Sequence, residues 1–99
     1  MDIKSLFEYN WYCRRKFLEG WARLPWETLI EDRGASFGSI RNIFLHSVGA
    51  ERFWLRRLGR RRMGKDKDYD RDFKNIESMR KYVDEVEAES KGIPGEAQS

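Results

Sequence analysis

The sequence predicts an all-α fold, an up-down bundle with three main helices. Apolar residues recur every three or four positions in three long segments, at about residues 2–24, 36–58 and 70–89. Aromatic residues make up 14% of the chain, which favours a packed core over disorder. The 99 residues suffice for one small domain, and in a domain of this size every helix face contributes to the core.

The first predicted helix, residues 2–24, carries an apolar stripe that we expect to face the core. Its members recur at spacings of three and four, with three further residues that widen it: Ile3, Leu6, Asn10, Cys13, Phe17, Gly20 and Leu24, with Phe7, Leu18 and Trp21. Pro25 ends the helix or follows its end, because proline lacks an N–H and disfavours helical geometry at the preceding residue. Residues 26–35 are expected to form a connection with about one helical turn.

The second predicted helix, residues 36–58, has two candidate N-caps. Ser36 is the first choice and Ser39 the alternative, since either hydroxyl can accept a hydrogen bond from a backbone N–H of the first turn. Gly59 is a natural stop. The apolar stripe is expected to comprise Phe37, Ile40, Ile43, Phe44, Ser47, Val48, Trp54, Leu55 and Leu58.

A polar loop over residues 59–68 leads to the third predicted helix, residues 70–89. Its apolar face is Phe73, Ile76, Met79, Val83 and Val86, and residues 90–99 are expected to form a flexible tail. About ten extended residues can reach at most ~35 Å, just enough to return along a helix ~30 Å long. A crossover and a simple hairpin therefore both remain open.

Composition excludes several classes of protein. One cysteine cannot form an internal disulfide, and the chain lacks the cysteine and histidine spacing of a structural zinc module. The N-terminus carries charges where a signal peptide needs an apolar run, and no segment approaches ~20 apolar residues, so we expect a cytoplasmic protein with no membrane contact. No glycine-rich phosphate loop, nucleophile elbow or HExxH motif is present.

Two patterns in the first two helices are specific enough to compare with a known family. The first is Tyr9-Asn10, Arg14-Arg15 and Phe17-Leu18; the second is Ser36-Phe37-Gly38-Ser39-Ile40, His46, Gly49-Ala50-Glu51 and Trp54. Together they resemble the DinB/YfiT-like helical bundles. The resemblance implies a four-helix fold in up-down-down-up order, of which this chain would supply the first three helices, and it favours the crossover.

The resemblance also implies a metal site. In the family, a histidine matching His46 and two histidines of the fourth helix hold a divalent metal such as zinc or nickel. His46 is the only histidine here, and the sequence ends before that helix, so the chain is expected to be either a natural short protein or a fragment.

Other ligands for such a metal are few. Glu51 lies about 140° around the helix from His46, and Cys13 occupies a regular core position. Acidic residues of the third helix are the remaining substitutes. Because a metal needs three or four donors, we expect no cofactor in this chain alone and an inert His46 lining a groove. Trp54, Asn10 and Cys13 are the predicted pocket-lining residues.

A basic segment surrounds the end of the second helix, where cations are favoured by the helix dipole. It contains Arg52, Arg56, Arg57, Arg60, Arg61, Arg62, Lys65 and Lys67. Residues 56, 57 and 60–62 are the candidate phosphate contacts. Because the net charge is only +3 and four aspartates follow between residues 66 and 72, we expect a solvated basic end rather than a nucleic-acid site.

These observations predict a DinB-like bundle without an assigned activity, not catalytic as the chain stands. The alternatives are a metal-dependent enzyme, such as a thiol transferase, completed by a partner subunit or a missing segment, and weak non-specific nucleic-acid binding. Whether the protein is an enzyme stays open. Wide apolar stripes lacking a fourth neighbour also predict a homo-oligomer, most simply a dimer, argued from Phe37, Phe44, Trp54, Phe73, Ile76 and Val83.

Overall fold

The computed structural model describes residues 2–34, 38–59, 62, 64 and 67–98, with side chains as far as residue 92. Within these residues there is no strand, and the elements are α1 (Ile3–Trp21), α2 (Trp26–Ile30), α3 (Ile40–Leu58), α4 (Tyr69–Asp72) and α5 (Ile76–Gln98). The predicted all-α class is therefore confirmed. Over the described part of the chain, no helix is long and apolar enough to cross a membrane.

Helix α3 begins from the second of the two predicted N-caps. The Ser39 hydroxyl accepts a hydrogen bond from the backbone N–H of Asn42 at 3.1 Å, and the backbone of Ser39 is extended, as an N-cap requires. The first-choice cap, Ser36, lies outside the described residues, and the predicted start of the helix at residue 36 is four residues too early. Gly59 is the C-cap, as expected.

The third predicted helix is divided into α4 and α5. Asp68 caps α4 by accepting a hydrogen bond from the backbone N–H of Arg71 at 3.1 Å. Residues 73–75 then interrupt the helix, and Asn75 accepts a hydrogen bond from the backbone N–H of Ser78 at 2.8 Å, at the start of α5. Local side-chain capping thus competes with the continuous apolar period that predicted one helix over residues 70–89.

Helix α5 also continues past residue 89, so the predicted tail at 90–99 is wrong for the backbone through Gln98. Ser90 shows that the first residue of this segment belongs to the packed fold. It is fully buried, and its hydroxyl oxygen lies 2.8 Å from the Val86 carbonyl and 2.7 Å from the Glu51 carboxylate. A tertiary contact therefore places Ser90 inside the fold, although the glycines and the proline that follow it predicted a tail.

Helices α1 and α3 run antiparallel. The ring of Trp21, at the end of α1, meets the ring of Phe44, near the start of α3, edge-on with centroids 5.0 Å apart. At the other end, the indole N–H of Trp11 donates to the carboxylate of Glu51 at 3.3 Å. Residues early in one helix therefore contact residues late in the other.

Helices α3 and α5 run parallel, which requires a crossover. Near the start of α3, Arg41 donates to the carbonyl of Phe73, just before α5, at 3.2 Å. Near its end, Arg56 donates to Glu89, late in α5, at 2.6 Å. The chain therefore leaves α3 at one end of the bundle and enters α5 at the other, which is the crossover that the family resemblance favoured.

The core lies where α1, α3 and α5 meet. Helix α5 presents the face that its sequence predicted, because Met79, Val83 and Val86 are fully buried and Ile76 is half-buried. The buried cluster, with the residues packed against it, comprises Leu18, Phe44, Leu45, Val48, Phe73, Met79, Tyr82, Val83 and Val86, with Trp21, Trp26, Tyr69 and Ile76.

The predicted core stripe of α1 is largely wrong. The helix turns Trp11 and Leu18 inward, with Phe7 and Trp21 half-buried beside them. The predicted stripe is exposed except for the half-buried Cys13: Ile3, Leu6, Asn10, Phe17, Gly20 and Leu24. In α3, likewise, only part of the predicted stripe is buried, and Ile43, Ser47, Trp54 and Leu58 are exposed.

Candidate ligand-binding groove

His46 lines an open groove on the outer side of α3. The groove has a volume of about 640 Å³, within the range of small-molecule sites. Helix α3 supplies most of its wall, Lys67 and the α4 residue Tyr69 supply a second wall, and α5 contributes Tyr82. The lining residues are Leu45, His46, Gly49, Ala50, Arg52, Phe53, Trp54, Arg56, Lys67, Tyr69 and Tyr82.

Cationic side chains dominate the polar lining of the groove. The Lys67 ammonium lies 5.5 Å and the Arg52 guanidinium 5.9 Å from the centroid of the Tyr82 ring. Both cations therefore make cation–π contacts with the same aromatic ring. Among the described lining residues there is no carboxylate. The groove therefore combines aromatic surface with positive charge.

Glu89 of α5 partly neutralises this positive charge from the side of the arginines that faces α5. Glu89 accepts a hydrogen bond from Arg56 at 2.6 Å and lies 3.8 Å from Arg52. The Glu89 side chain is only 16% exposed, and it fixes both guanidinium groups against α5. The two arginines are thus held in fixed positions, as charge-assisted hydrogen bonds to a carboxylate require.

Glu51, considered above as a substitute metal ligand, belongs to a different site. Its carboxylate lies 3.0 Å from Arg14 and accepts hydrogen bonds from the Trp11 indole and the Ser90 hydroxyl. Arg14 and Glu51 side chains are 12% and 8% exposed. This cluster joins α1, α3 and α5 inside the bundle. Glu51 and His46 therefore lie on different faces of α3, as their spacing predicted.

The structure brings together His46 and Trp54, but not the other two predicted pocket residues. Asn10 is exposed on α1, and neither it nor Cys13 lines the groove. Cys13 instead makes a hydrogen bond with Tyr9, which raises the pKa of the Tyr9 hydroxyl above its usual value. The α1 residues of the predicted pocket therefore lie on another surface.

The basic segment is divided by the structure. Arg56 is bound to Glu89, whereas Arg57 and Arg62 are exposed. Arg60 and Arg61 lie outside the described residues. Of the predicted phosphate contacts, Arg57 and Arg62 are thus solvated cations, and Arg56 is part of the groove wall.

Sequence reasoning missed the aromatic residues that close the groove. Tyr69 lies in α4 and Tyr82 in α5, and both reach the groove only because the crossover places α4 and α5 beside α3. Phe53 was missed for a simpler reason, since it falls outside the apolar period of α3. The available signal was segment 52–57, in which two adjacent aromatic residues lie between arginines.

The fold and groove define an all-α bundle with a parallel crossover and a single histidine in an open, basic, aromatic groove. The DinB family model matches residues 1–97, and the chain belongs to the DinB family. Searches of curated proteins and of solved structures found no match.

The residues present do not fit the divalent metal that the family implies. Within the described residues, no three histidine, cysteine, aspartate or glutamate side chains come close enough to hold an ion. The charged residues that line the groove together with His46 are cations, Arg52, Arg56 and Lys67, which disfavour a second positive charge. His46 is the only histidine in the sequence, so no second imidazole of this chain could share a metal with it.

Proposed function

We propose that this DinB-family chain binds a small anionic ligand in the groove around His46 and does not carry out metal-dependent chemistry with residues of its own. The observation that carries the proposal is the lining of the groove. Three cations and several aromatic rings line it, while no carboxylate among the described residues does. A cavity of about 640 Å³ is large enough for such a ligand.

The charges favour an anion because they are fixed before any ligand arrives. Lys67 and Arg52 are held over the ring of Tyr82, and Arg52 and Arg56 are held by Glu89. Cations fixed beside aromatic surface act in a medium less polar than water, where their attraction for an anion is stronger. Glu89 reduces the net charge, but it lies behind the arginines.

The aromatic residues indicate the remainder of the ligand. Trp54 is 59% exposed and Phe53 is 43% exposed, and their rings meet edge-on with centroids 5.3 Å apart. Tyr69 adds a half-buried ring. The ligand class that fits is a carboxylate, sulfonate or phosphate attached to a flat or apolar group.

The single histidine makes this proposal directly testable by NMR. Naphthalene-2-sulfonate is titrated while the imidazole C–H resonances, which come from His46 alone, are followed. We expect saturable shifts, and none with 2-naphthylmethylammonium, which has the same ring system and the opposite charge. Equal binding of the two probes, or no shift with either, would contradict the proposal.

Lys67→Gln provides the variant test. Losing one charge-assisted contact is expected to weaken sulfonate binding about five- to tenfold, less than for a fully buried contact because the groove is open. Lys74→Gln is the matched control, since Lys74 is an exposed lysine that does not line the groove. Equal loss in both variants would mean that the groove does not bind the anion.

A second candidate is a metal-dependent DinB enzyme whose site is completed by a partner subunit or by a segment outside this chain. The exposure of His46 on the outer side of α3 favours it, because an exposed imidazole is accessible to ligands from another chain. Calorimetry with zinc and nickel separates the two candidates. We expect no stoichiometric submicromolar binding to this chain alone, and such binding, if abolished by His46→Ala, would support the second candidate.

A further inference from the structure

Two exposed apolar stripes lie on α1 and α3. The stripe on α1 follows spacings of three and four residues, and the stripe on α3 does the same. We call the two together the open face: Ile3, Leu6, Asn10, Cys13, Phe17 and Gly20 on α1 and Leu24 just after it, with Ile43, Ser47, Ala50, Trp54 and Leu58 on α3. All are exposed except Cys13, which is half-buried, and Ala50 and Trp54 lie at the border with the groove, which they also line.

Both stripes lie on the same side of the molecule, away from α5. On α1, Arg14 faces α3, where it pairs with Glu51. Measured around the axis of α1, Arg15 lies about 100° from Arg14 in one direction, where it binds Glu87 of α5. Phe17 lies about 60° from Arg14 in the opposite direction. On α3, Glu51 meets α1 with the same arrangement. Arg52 lies about 100° towards α5, and Trp54 lies about 60° in the opposite sense.

The open face contains no charged residue, although 37% of the chain is charged. Its large apolar members are far more exposed than core residues, with Leu58 at 72% and Phe17 at 55%. Contiguous apolar patches above a few hundred Å² are uncommon on monomers and mark association surfaces. The residues that the sequence offered for association, by contrast, are mostly elsewhere: Phe44, Phe73 and Val83 are buried in the chain's own core.

We propose that a second copy of this chain covers the open face, packing its own α1 and α3 there around a two-fold axis. A two-fold axis sets a patch against itself, so a patch with charges of one sign would repel its copy, whereas an uncharged patch meets its copy without repulsion. A partner recognised through charge has nothing to pair with on this face. This chemistry therefore fits the chain itself.

The area of the open face is close to what such a dimer needs. Helices of 19 residues are about 28 Å long, and two adjacent helices are about 20 Å wide, so each copy offers a footprint of roughly 560 Å² in projection. The accessible area of a corrugated surface is larger than its projection and approaches the ~800 Å² that each partner of a standard interface buries. Two copies would form a four-helix layer from their α1 and α3 helices.

The test is the molar mass in solution by light scattering at micromolar concentration. We expect about twice the 11.9 kDa of one chain. Phe17→Glu is expected to weaken the dimer more than ~100-fold, because it places a charge in an apolar contact. Leu58→Glu, at a position 72% exposed at the end of α3, is expected to do the same and carries less risk of unfolding the chain.

Tyr12→Glu is the matched control. Tyr12 lies on the same helix as Phe17 and is equally exposed, at 53%, but outside the open face. We expect this variant to remain a dimer. A monomer at every concentration would overturn the proposal. So would a dimer that persists in both Phe17→Glu and Leu58→Glu, or a dimer that Tyr12→Glu weakens as much as those two variants do. Helical circular dichroism confirms that each variant is folded.

Discussion

The two sides of the α1–α3 pair differ in chemistry. The closed side, which faces α5, holds the apolar core and three carboxylates bound to guanidinium groups, from Glu51, Glu87 and Glu89. The open face has no charge at all. Within this pair of helices, therefore, the side that faces α5 includes charged side chains, whereas the open face includes none.

The ion pairs of the closed side fix how the helices align. Glu51 and Glu87 each contact an arginine of α1, and Glu89 contacts two arginines of α3. Ion pairs of low exposure add little net stability, since desolvation offsets much of their attraction, but a shifted helix would leave a charge without its partner. The apolar core attracts α5, and the carboxylates determine its register. The open face lacks such contacts and depends on shape alone.

The largest expected difference between the two sides is in core substitutions. Leu45 is 1% exposed in the core and Leu58 is 72% exposed on the open face, and both lie on α3. Leu45→Ala is expected to lower the free energy of unfolding by about 2–5 kcal/mol, through lost burial and a cavity. Leu58→Ala should change it by less than ~0.5 kcal/mol in the monomer.

Urea denaturation of the two variants at the same low protein concentration measures this difference. The concentration matters, because Leu58 contributes to stability if the open face is covered by a second copy. Similar losses in the two variants under monomeric conditions would mean that α3 does not face α5 in the way described.

The sequence identified the correct face of α5 but not of α1, and the two helices show why. The outer positions of α5, including Lys81, Asp84 and Glu85, are charged, so only one apolar face is available. Helix α1 has apolar residues on two faces. Its buried face also contains Arg14, whose partner, Glu51, is 37 positions away in the sequence. A helix face that contains an arginine is predicted from hydropathy to be exposed.

The candidate groove could be predicted only in part, for a related reason. His46 and Trp54 belong to one helix, and their spacing already placed them near each other. Tyr82 joins them from another helix, through a parallel packing that periodicity does not encode. Asn10 and Cys13 belong to the stripe of α1 that was expected to face inward. Because that stripe faces outward, the prediction that they line the pocket fails for both residues.

The second expected effect concerns the junction of the three long helices. Glu51→Gln removes the charge that Arg14 faces inside the bundle while keeping a similar size. We expect a loss of about 2–3 kcal/mol in the free energy of unfolding, because an almost buried guanidinium is left without its counter-charge. Denaturation at neutral pH measures it.

Glu77→Gln is the comparison for Glu51→Gln, since Glu77 pairs with Arg80 on the surface of α5 and is 71% exposed. Exposed pairs contribute about 0–1 kcal/mol. If both substitutions cost equally little, the closed side would not be held by its ion pairs, and the contrast with the open face would rest on apolar burial alone.

A smaller effect is expected for nucleic acid at the end of α3, where the two sides meet. Arg57 and Arg62 are exposed there, and they can displace counterions from any phosphate backbone. We expect weak binding to duplex DNA without sequence preference, reduced a few-fold in the double variant Arg57→Gln and Arg62→Gln. Fluorescence anisotropy at several salt concentrations tests it, and strong preference for one sequence at physiological salt would be incompatible with this interpretation.

The smallest expected effect is the pH dependence of the short helix α4 on the closed side. Arg71 donates two hydrogen bonds to the Asp72 carboxylate and the backbone N–H of Asp68 donates a third, which lowers the pKa of Asp72 from 3.8 to about 2. Because the pKa is lower in the folded chain, the carboxylate stabilises the fold above pH 3.8, and this contribution disappears as the pH falls towards 2. Asp72→Asn should therefore unfold at a lower temperature than the wild type at pH 5, and most of the difference should be lost by pH 2, where about half of the Asp72 carboxylates of the folded chain are protonated. A difference that stays constant between pH 5 and pH 2 would show that the hydrogen bonds act through geometry and not through charge.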